Sequence, residues 1–102
     1  MHFLLGSLNL AHREELQKWY SVLVNNMNLK ERVLDMLYSK SVLDNDELEE
    51  IRSASTRASM SSKLLSLIRR SSSEQYNVFL DVLRRNDQGH LIPGNSYSNE
   101  VQ

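Results

Sequence analysis

The chain has no cysteine, so disulfides and thiolate metal sites are excluded and stability must come from packing; a reducing compartment is compatible with this. Glycine occurs only three times and proline once, and no glycine-rich loop able to cradle a phosphate is present. Charge of one sign is scarce in excess. The formal net charge of −1 argues against a nucleic-acid binder that works through a basic surface, because phosphate neutralisation needs several Lys or Arg in surplus on one face. Long apolar runs are missing too. Met1-His2-Phe3-Leu4-Leu5-Gly6 is too short for a signal-peptide core and lacks a basic start, so the expectation is a soluble, cytoplasmic protein with no membrane partner.

What is present is a 102-residue chain, 40% hydrophobic and 25% charged. That length suits one domain burying roughly 60 to 65% of its unfolded surface. Its apolar residues recur at three and four positions, and no stretch keeps the strict alternation of a half-buried strand, so the fold class expected is all-α. From about Asn9 to Met27 the stripe is Leu16, Trp19, Tyr20, Leu23, Val24 and Met27. Three later starts pair a small polar residue with a glutamate three positions on: Asn28 with Glu31, Asp44 with Glu47, and Ser71 with Glu74. This is the capping-box spacing. They launch a second helix to about Tyr38, a short third through Leu48 and Ile51, and a fifth to about Arg85. A fourth runs from Thr56 to Arg70, capped by Ser55 or Thr56. A brief sixth turn near Gln88 to Ile92 is stopped by Pro93-Gly94. Short connections then make successive helices near-antiparallel neighbours in a six-helix bundle. The expected organisation is a lead segment 1–7, a bundle 8–94 and a polar tail 95–102.

Twelve residues read as core: Leu16, Leu23, Val33, Leu37, Leu48, Ile51, Leu64, Leu65, Ile68, Phe79, Leu80 and Leu83. Trp19 is either packed or an exposed anchor, and packing is favoured. Catalytic chemistry finds little footing. There is no Gly-x-Ser-x-Gly turn, no cysteine nucleophile and no His-x-x-x-His pair, and an acid-rich helix is ordinarily a solvated face and not the desolvated pocket that a general acid needs. We expect no enzyme, no catalytic residue, no metal and no cofactor.

Charge arrangement is the remaining signal. Glu31, Asp35, Asp44, Asp46, Glu47, Glu49 and Glu50 fall on helices two and three, whereas Arg57, Lys63, Arg69 and Arg70 fall on helix four, with Arg13 and Lys18 on helix one. Ordinary surface charge and within-helix pairs account for such a pattern as well as a binding function does.

An ordered series of segments resembles the caspase-recruitment domain (CARD) of the death-fold superfamily. Leu34-Asp35-Met36-Leu37-Tyr38-Ser39-Lys40-Ser41-Val42-Leu43 is similar to the family's second-helix ending and its Leu-Leu-Ser-Lys-x-Val-Leu turn. Asp46 to Arg52 and Ser55-Thr56-Arg57 then lead to Lys63-Leu64-Leu65-Ser66-Leu67-Ile68. Tyr76-Asn77-Val78-Phe79-Leu80-Asp81-Val82-Leu83-Arg84 and Gln88-Gly89-His90-Leu91 resemble the helix and stretch that close the family's pattern. The resemblance covers about Leu8 to Leu91.

It implies a module that binds another CARD or death-fold domain, with an acidic face on helices two and three meeting a basic face on helices one and four. Carried onto this chain, the acidic face is Asp35, Asp44, Asp46, Glu47 and Glu50, and the basic face is Arg13, Lys18, Arg57 and Lys63. Unlike faces make head-to-tail contact, which permits rings or filaments. The implied partners are a CARD-containing caspase, adaptor or sensor, or a second copy of the chain. The implied role is assembly of an apoptotic or inflammatory complex, as adaptor or caspase prodomain; the alternative is a stand-alone cellular or viral decoy that blocks caspase recruitment. Two departures weaken the basic face. Where some members carry arginine on the inner part of helix one this chain has Tyr20, and at a second basic position on helix four it has Ser62. A purely structural bundle, and a nucleic-acid binder using Arg69, Arg70, Arg84 and Arg85, remain as readings from other classes.

Overall fold

The computed structural model describes residues 8–92. In chain order they form α1 (Leu10–Asn26), α2 (Glu31–Ser39), α3 (Asn45–Arg52), α4 (Arg57–Arg69) and α5 (Ser73–Arg85), followed by a single 3-10 turn, Gly89–Leu91. Among the described residues there is no strand, as the apolar spacing requires. The expected sixth helix is corrected to that one 3-10 turn. Asp87 sits at φ 64° and ends α5, and the few residues that remain before Pro93 cannot repay the nucleation cost of an α-helix. The stop at Pro93-Gly94, the lead segment and the tail lie outside the described residues.

Side chains set most helix starts. Asn9 Oδ1 accepts from His12 N at 2.8 Å, Thr56 Oγ1 accepts from Ser59 N at 3.0 Å, and Asp44 with Glu47 forms a complete capping box at 2.8 and 2.9 Å. Two expected boxes fall elsewhere. The Ser71 hydroxyl donates back to Ile68 O at 2.6 Å and so finishes α4; the box moves one residue on, to Ser72 with Gln75. At α2 the cap position is Lys30, with no side-chain cap at all. Asn28 is not a cap: its backbone N–H and C=O are held by Gln88, at 2.7 and 2.8 Å.

Two helices end alike. After α2, Ser41 adopts φ 65° while its N–H donates to Tyr38 O and that of Val42 to Leu37 O. After α5, Asp87 adopts φ 64°, its N–H donates to Arg84 O and that of Gln88 to Leu83 O. Both are Schellman closures made without glycine. Buried Val42 and Leu37 supply the apolar contact that such closures favour, which gives the Leu37–Leu43 turn its physical meaning.

The expected order of neighbours needs correction at the first connection. α1 runs along α4 and α2 along α5, and neither pairs chiefly with its successor. The linker explains this: Met27 and Leu29 are buried and Gln88 clamps Asn28 between them, so the chain crosses the bundle end before α2 begins. α1 and α4 are antiparallel, as Arg57 reaches Asn25 O at 3.2 Å at one end and Tyr20 meets Ser62 at 3.0 Å midway. α5 is fixed to α2 by Gln75 donating to Ser41 O at 3.0 Å. It is fixed to α1 by Asn9 N donating to Ser73 Oγ, also at 3.0 Å.

All twelve expected core residues are buried, joined by Met27, Leu29, Leu34, Tyr76 and Val82 among others. Trp19 is partly buried and packs against that core. One core position is not apolar. Ser61 is fully buried and its hydroxyl has no hydrogen-bond partner. An unpaired buried hydroxyl opposes folding, and alanine is the better helix former. Ser61→Ala should therefore stabilise by about 1 kcal/mol, seen as a higher urea midpoint at unchanged m; a lower midpoint would mean that the hydroxyl is paired.

Candidate functional site

α3 lies against α2 on one side and α4 on the other, so its acids meet side chains from both. Four of the five expected acidic-face residues are divided among three tasks. Asp44 and Glu47 satisfy each other's amides at the start of α3. Glu50 faces Lys63 of α4 at 3.8 Å. Asp35 joins a network centred on Arg52, which contacts Glu31 at 2.6 Å, Asp35 at 3.5 Å and Glu49 at 3.5 Å. Arg52 is the residue that the sequence reading missed. Its guanidinium is raised above its ordinary pKa first by the hydrogen bond to Glu31 and further by the surrounding carboxylates. It aligns α2 with α3 and leaves the local balance negative. Of the five, only Asp46 has a side chain with neither an ion pair nor a hydrogen bond among the described residues, and it is exposed. From Asp44 to Arg52 the chain carries five carboxylates against one guanidinium, so this surface is acidic despite its internal pairs.

The expected basic residues do not form one face. Arg57 donates to the Asn25 carbonyl, at the C-terminal end of α1 where free carbonyls favour a cation. Lys63 is turned toward α3 and Glu50. Arg13 and Lys18 are five positions apart, about 140° around a helix of 3.6 residues per turn, and therefore point to different flanks. Arg13 instead shares a depression with Ser66, Arg69 and Arg70. Between these ends, the two positions where the resemblance calls for a basic residue are joined to each other, Tyr20 Oη to Ser62 Oγ at 3.0 Å. A neutral hydrogen bond occupies the middle of the α1/α4 seam.

The remaining titratable groups have structural roles. His12 and Glu15 stand three residues apart on α1, a spacing open to a metal, yet Glu15 accepts from the Tyr76 hydroxyl at 2.7 Å and the His12 ring lies 4.8 Å from that of Tyr76. Burial first, then the Glu15 carboxylate, pushes the Tyr76 phenol above its ordinary pKa. The Asp81 carboxyl is held low by its hydrogen bond to Arg85. Among the described residues no group of three His, Asp or Glu could hold a metal ion, and no helix is long and apolar enough to cross a membrane. A concavity of about 870 Å3 beside the α2–α3 turn is rimmed by Asp44, Glu47 and Arg70. Its two acids are the pair already engaged in the capping box.

No curated protein and no solved structure matches this chain. The family model for the caspase recruitment domain matches residues 13–94, which spans α1 from Arg13 through the closing 3-10 turn. Together with the all-α architecture and the Leu37–Leu43 closure, this match shows that the chain belongs to the caspase recruitment domain family, whose members are protein-interaction domains of apoptotic and inflammatory signalling.

Proposed function

We propose that this domain recruits a second CARD by presenting its α2/α3 surface, Asp35, Asp44, Asp46, Glu47 and Glu50, to a basic face on the partner. The observation that carries this is Asp46, exposed and unpaired among the described residues, at the centre of the most acidic segment of the bundle. Asp35 and Glu50 take part through the charge of their networks, and Asp44 and Glu47 through the field at the start of α3.

The basic side contributes less. Arg57 and Lys63 are engaged within the domain, Lys18 stands apart, and the seam between them is neutral at Tyr20 and Ser62. A domain with one strong and one weak face takes the terminal place in an assembly more readily than it extends one. That favours a CARD-only decoy of caspase recruitment, or an adaptor end, over a self-polymerising core. It acts by occupying the partner's basic face.

Asp46→Lys tests the proposal cleanly, because Asp46 makes no hydrogen bond or ion pair among the described residues whose loss would unfold the domain. The reversed charge in the first turn of α3 costs about 2 kcal/mol at most, a favourable end charge lost and an unfavourable one gained, while binding to a basic-faced CARD in a pull-down or titration should fall at least about tenfold. Added salt should weaken the wild-type complex as the screening length shortens to about 3 Å near 1 M. Binding that survives both treatments rejects the acidic-face reading. Arg57→Glu is a poorer probe, since it would also set a negative charge against the C-terminus of α1.

A further inference from the structure

We propose that Ser72 is a phosphorylation site for an arginine-directed protein kinase, and that its phosphate locks the α4/α5 junction. Arginine stands three positions before a serine at Ser55, Ser72 and Ser73, and only Ser72 has a second arginine two positions before it as well. A kinase whose substrate cleft is lined with carboxylates selects such a pair by charge. The arginines must be free to be read. Arg52, ahead of Ser55, is held by Glu31, Asp35 and Glu49. Arg69 and Arg70 are exposed, and among the described residues neither has a carboxylate within ion-pair reach. They share a depression of about 580 Å3 with Arg13 and Ser66, and its lining holds no carboxylate.

The fold also sorts the three hydroxyls that follow. That of Ser71 donates to Ile68 O at 2.6 Å and finishes α4, so a phosphate there would delete a donor. Ser73 Oγ accepts from Asn9 N at 3.0 Å and ties down the start of α1. Ser72 Oγ accepts from Gln75 N at 3.1 Å, within its own first turn of α5. Phosphate oxygens accept from that same amide, and a dianion at the start of α5, two residues after Arg70, gains charge-assisted hydrogen bonds. Modification of Ser72 therefore strengthens the contact that its hydroxyl already makes. Access needs only a local opening. Ser72 is half-buried, and the last turn of α4 closes on bonds that span three residues, Arg70 N to Leu67 O at 3.1 Å and Ser71 N to Ile68 O at 3.0 Å. Helix ends of this kind open at little cost, which frees Arg69 to Ser73 to enter a kinase cleft in extended form. There the Ser72 hydroxyl attacks the γ-phosphorus of ATP. The Oγ–P bond forms as the bond to the β,γ-bridging oxygen breaks, ADP leaves, and the hydroxyl proton passes to the kinase's catalytic aspartate. None of the acidic-face residues takes part.

The test is incubation of the folded full chain with ATP and an arginine-directed kinase, read by fragment mass spectrometry and by thermal unfolding. One phosphate should enter, on Ser72. The rate should fall about tenfold or more in Arg69→Ala/Arg70→Ala, whose melting curve should match the wild type because exposed arginines contribute little to stability. Ser72→Asn, which keeps a capping side chain, should take up none. The phosphorylated chain should melt about 4 °C higher than the unmodified one, and in Arg70→Ala, phosphorylated to completion, that gain should shrink. The site is overturned if the folded chain takes up no phosphate, if Ser55, Ser71 or Ser73 is modified in place of Ser72, if the paired arginine variant reacts at the wild-type rate, or if the phosphorylated chain melts no higher. Asp46→Lys should react as the wild type does, so this proposal and the acidic-face reading fail separately.

Discussion

Gln88→Ala should destabilise the domain by about 2 to 4 kcal/mol, against a total of about 5 to 15 kcal/mol for a domain of this kind. The side chain is almost fully buried and makes two hydrogen bonds, accepting from Asn28 N at 2.7 Å and donating to Asn28 O at 2.8 Å. Both partners are backbone groups in the linker between α1 and α2, so truncation leaves a donor and an acceptor without their partner in a partly buried place. Its own N–H closes α5 on Leu83 O at 2.8 Å, which keeps the main chain in position while the side chain is removed. The readout is thermal unfolding, where the loss should lower the midpoint by about 10 to 20 °C. Gln88→Glu retains the acceptor, forfeits the donor and buries a charge, so it should not rescue stability. A change below about 0.5 kcal/mol for Gln88→Ala, the range of ordinary surface substitutions, would show that water replaces the amide and that the clamp is incidental.

That clamp also marks where the sequence stopped being legible. Helix existence and core membership followed from local spacing: an apolar stripe at three and four positions has few outcomes besides a buried face. The Asp44/Glu47 box was readable for the same reason, as both partners lie within one turn. Asn28 with Glu31 has the same spacing and fails, because Gln88, sixty residues on, captures the Asn28 backbone first. No local rule contains that competitor. The serine run was misread by one position, since three consecutive hydroxyls offer equivalent caps and Ser71 turns back to Ile68 instead.

The candidate site was half legible. Acid on α2 and α3 is a property of composition along the chain, and it survives folding. Which acids remain free is not, because Arg52 gathers Glu31, Asp35 and Glu49 across two helices, and Lys63 takes Glu50 across another pair. The basic face was less legible still. Membership of the same two helices placed Arg13, Lys18, Arg57 and Lys63 together. A face, however, is set by angle around each helix and by register between helices. That register joins Tyr20 to Ser62 and brings Arg13 to Arg69 and Arg70.

Tyr20→Arg with Ser62→Arg should convert the domain from a terminal partner into one that assembles with itself. The two positions face each other at 3.0 Å in the middle of the α1/α4 seam, and arginine at both would link the cations at its two ends into one basic strip. Tyr20 is 38% exposed and its bond to Ser62 is exposed, so the fold loses little by the change. Each new guanidinium that meets a carboxylate on the α2/α3 surface of a neighbouring copy adds about 1.5 kcal/mol of coupling, so the pair should tighten association on the order of a hundredfold. Because the two faces are unlike, the association is head-to-tail and continues beyond a dimer. Light scattering on the double variant should therefore show mass growing with concentration and shrinking with salt, where the wild type stays small. Adding Asp46→Lys to the same chain should return it to the small species by removing the acidic end. Growth that persists with Asp46→Lys present would place the contact elsewhere, and no growth at all in a well-folded double variant would mean that the neutral seam is not what limits assembly.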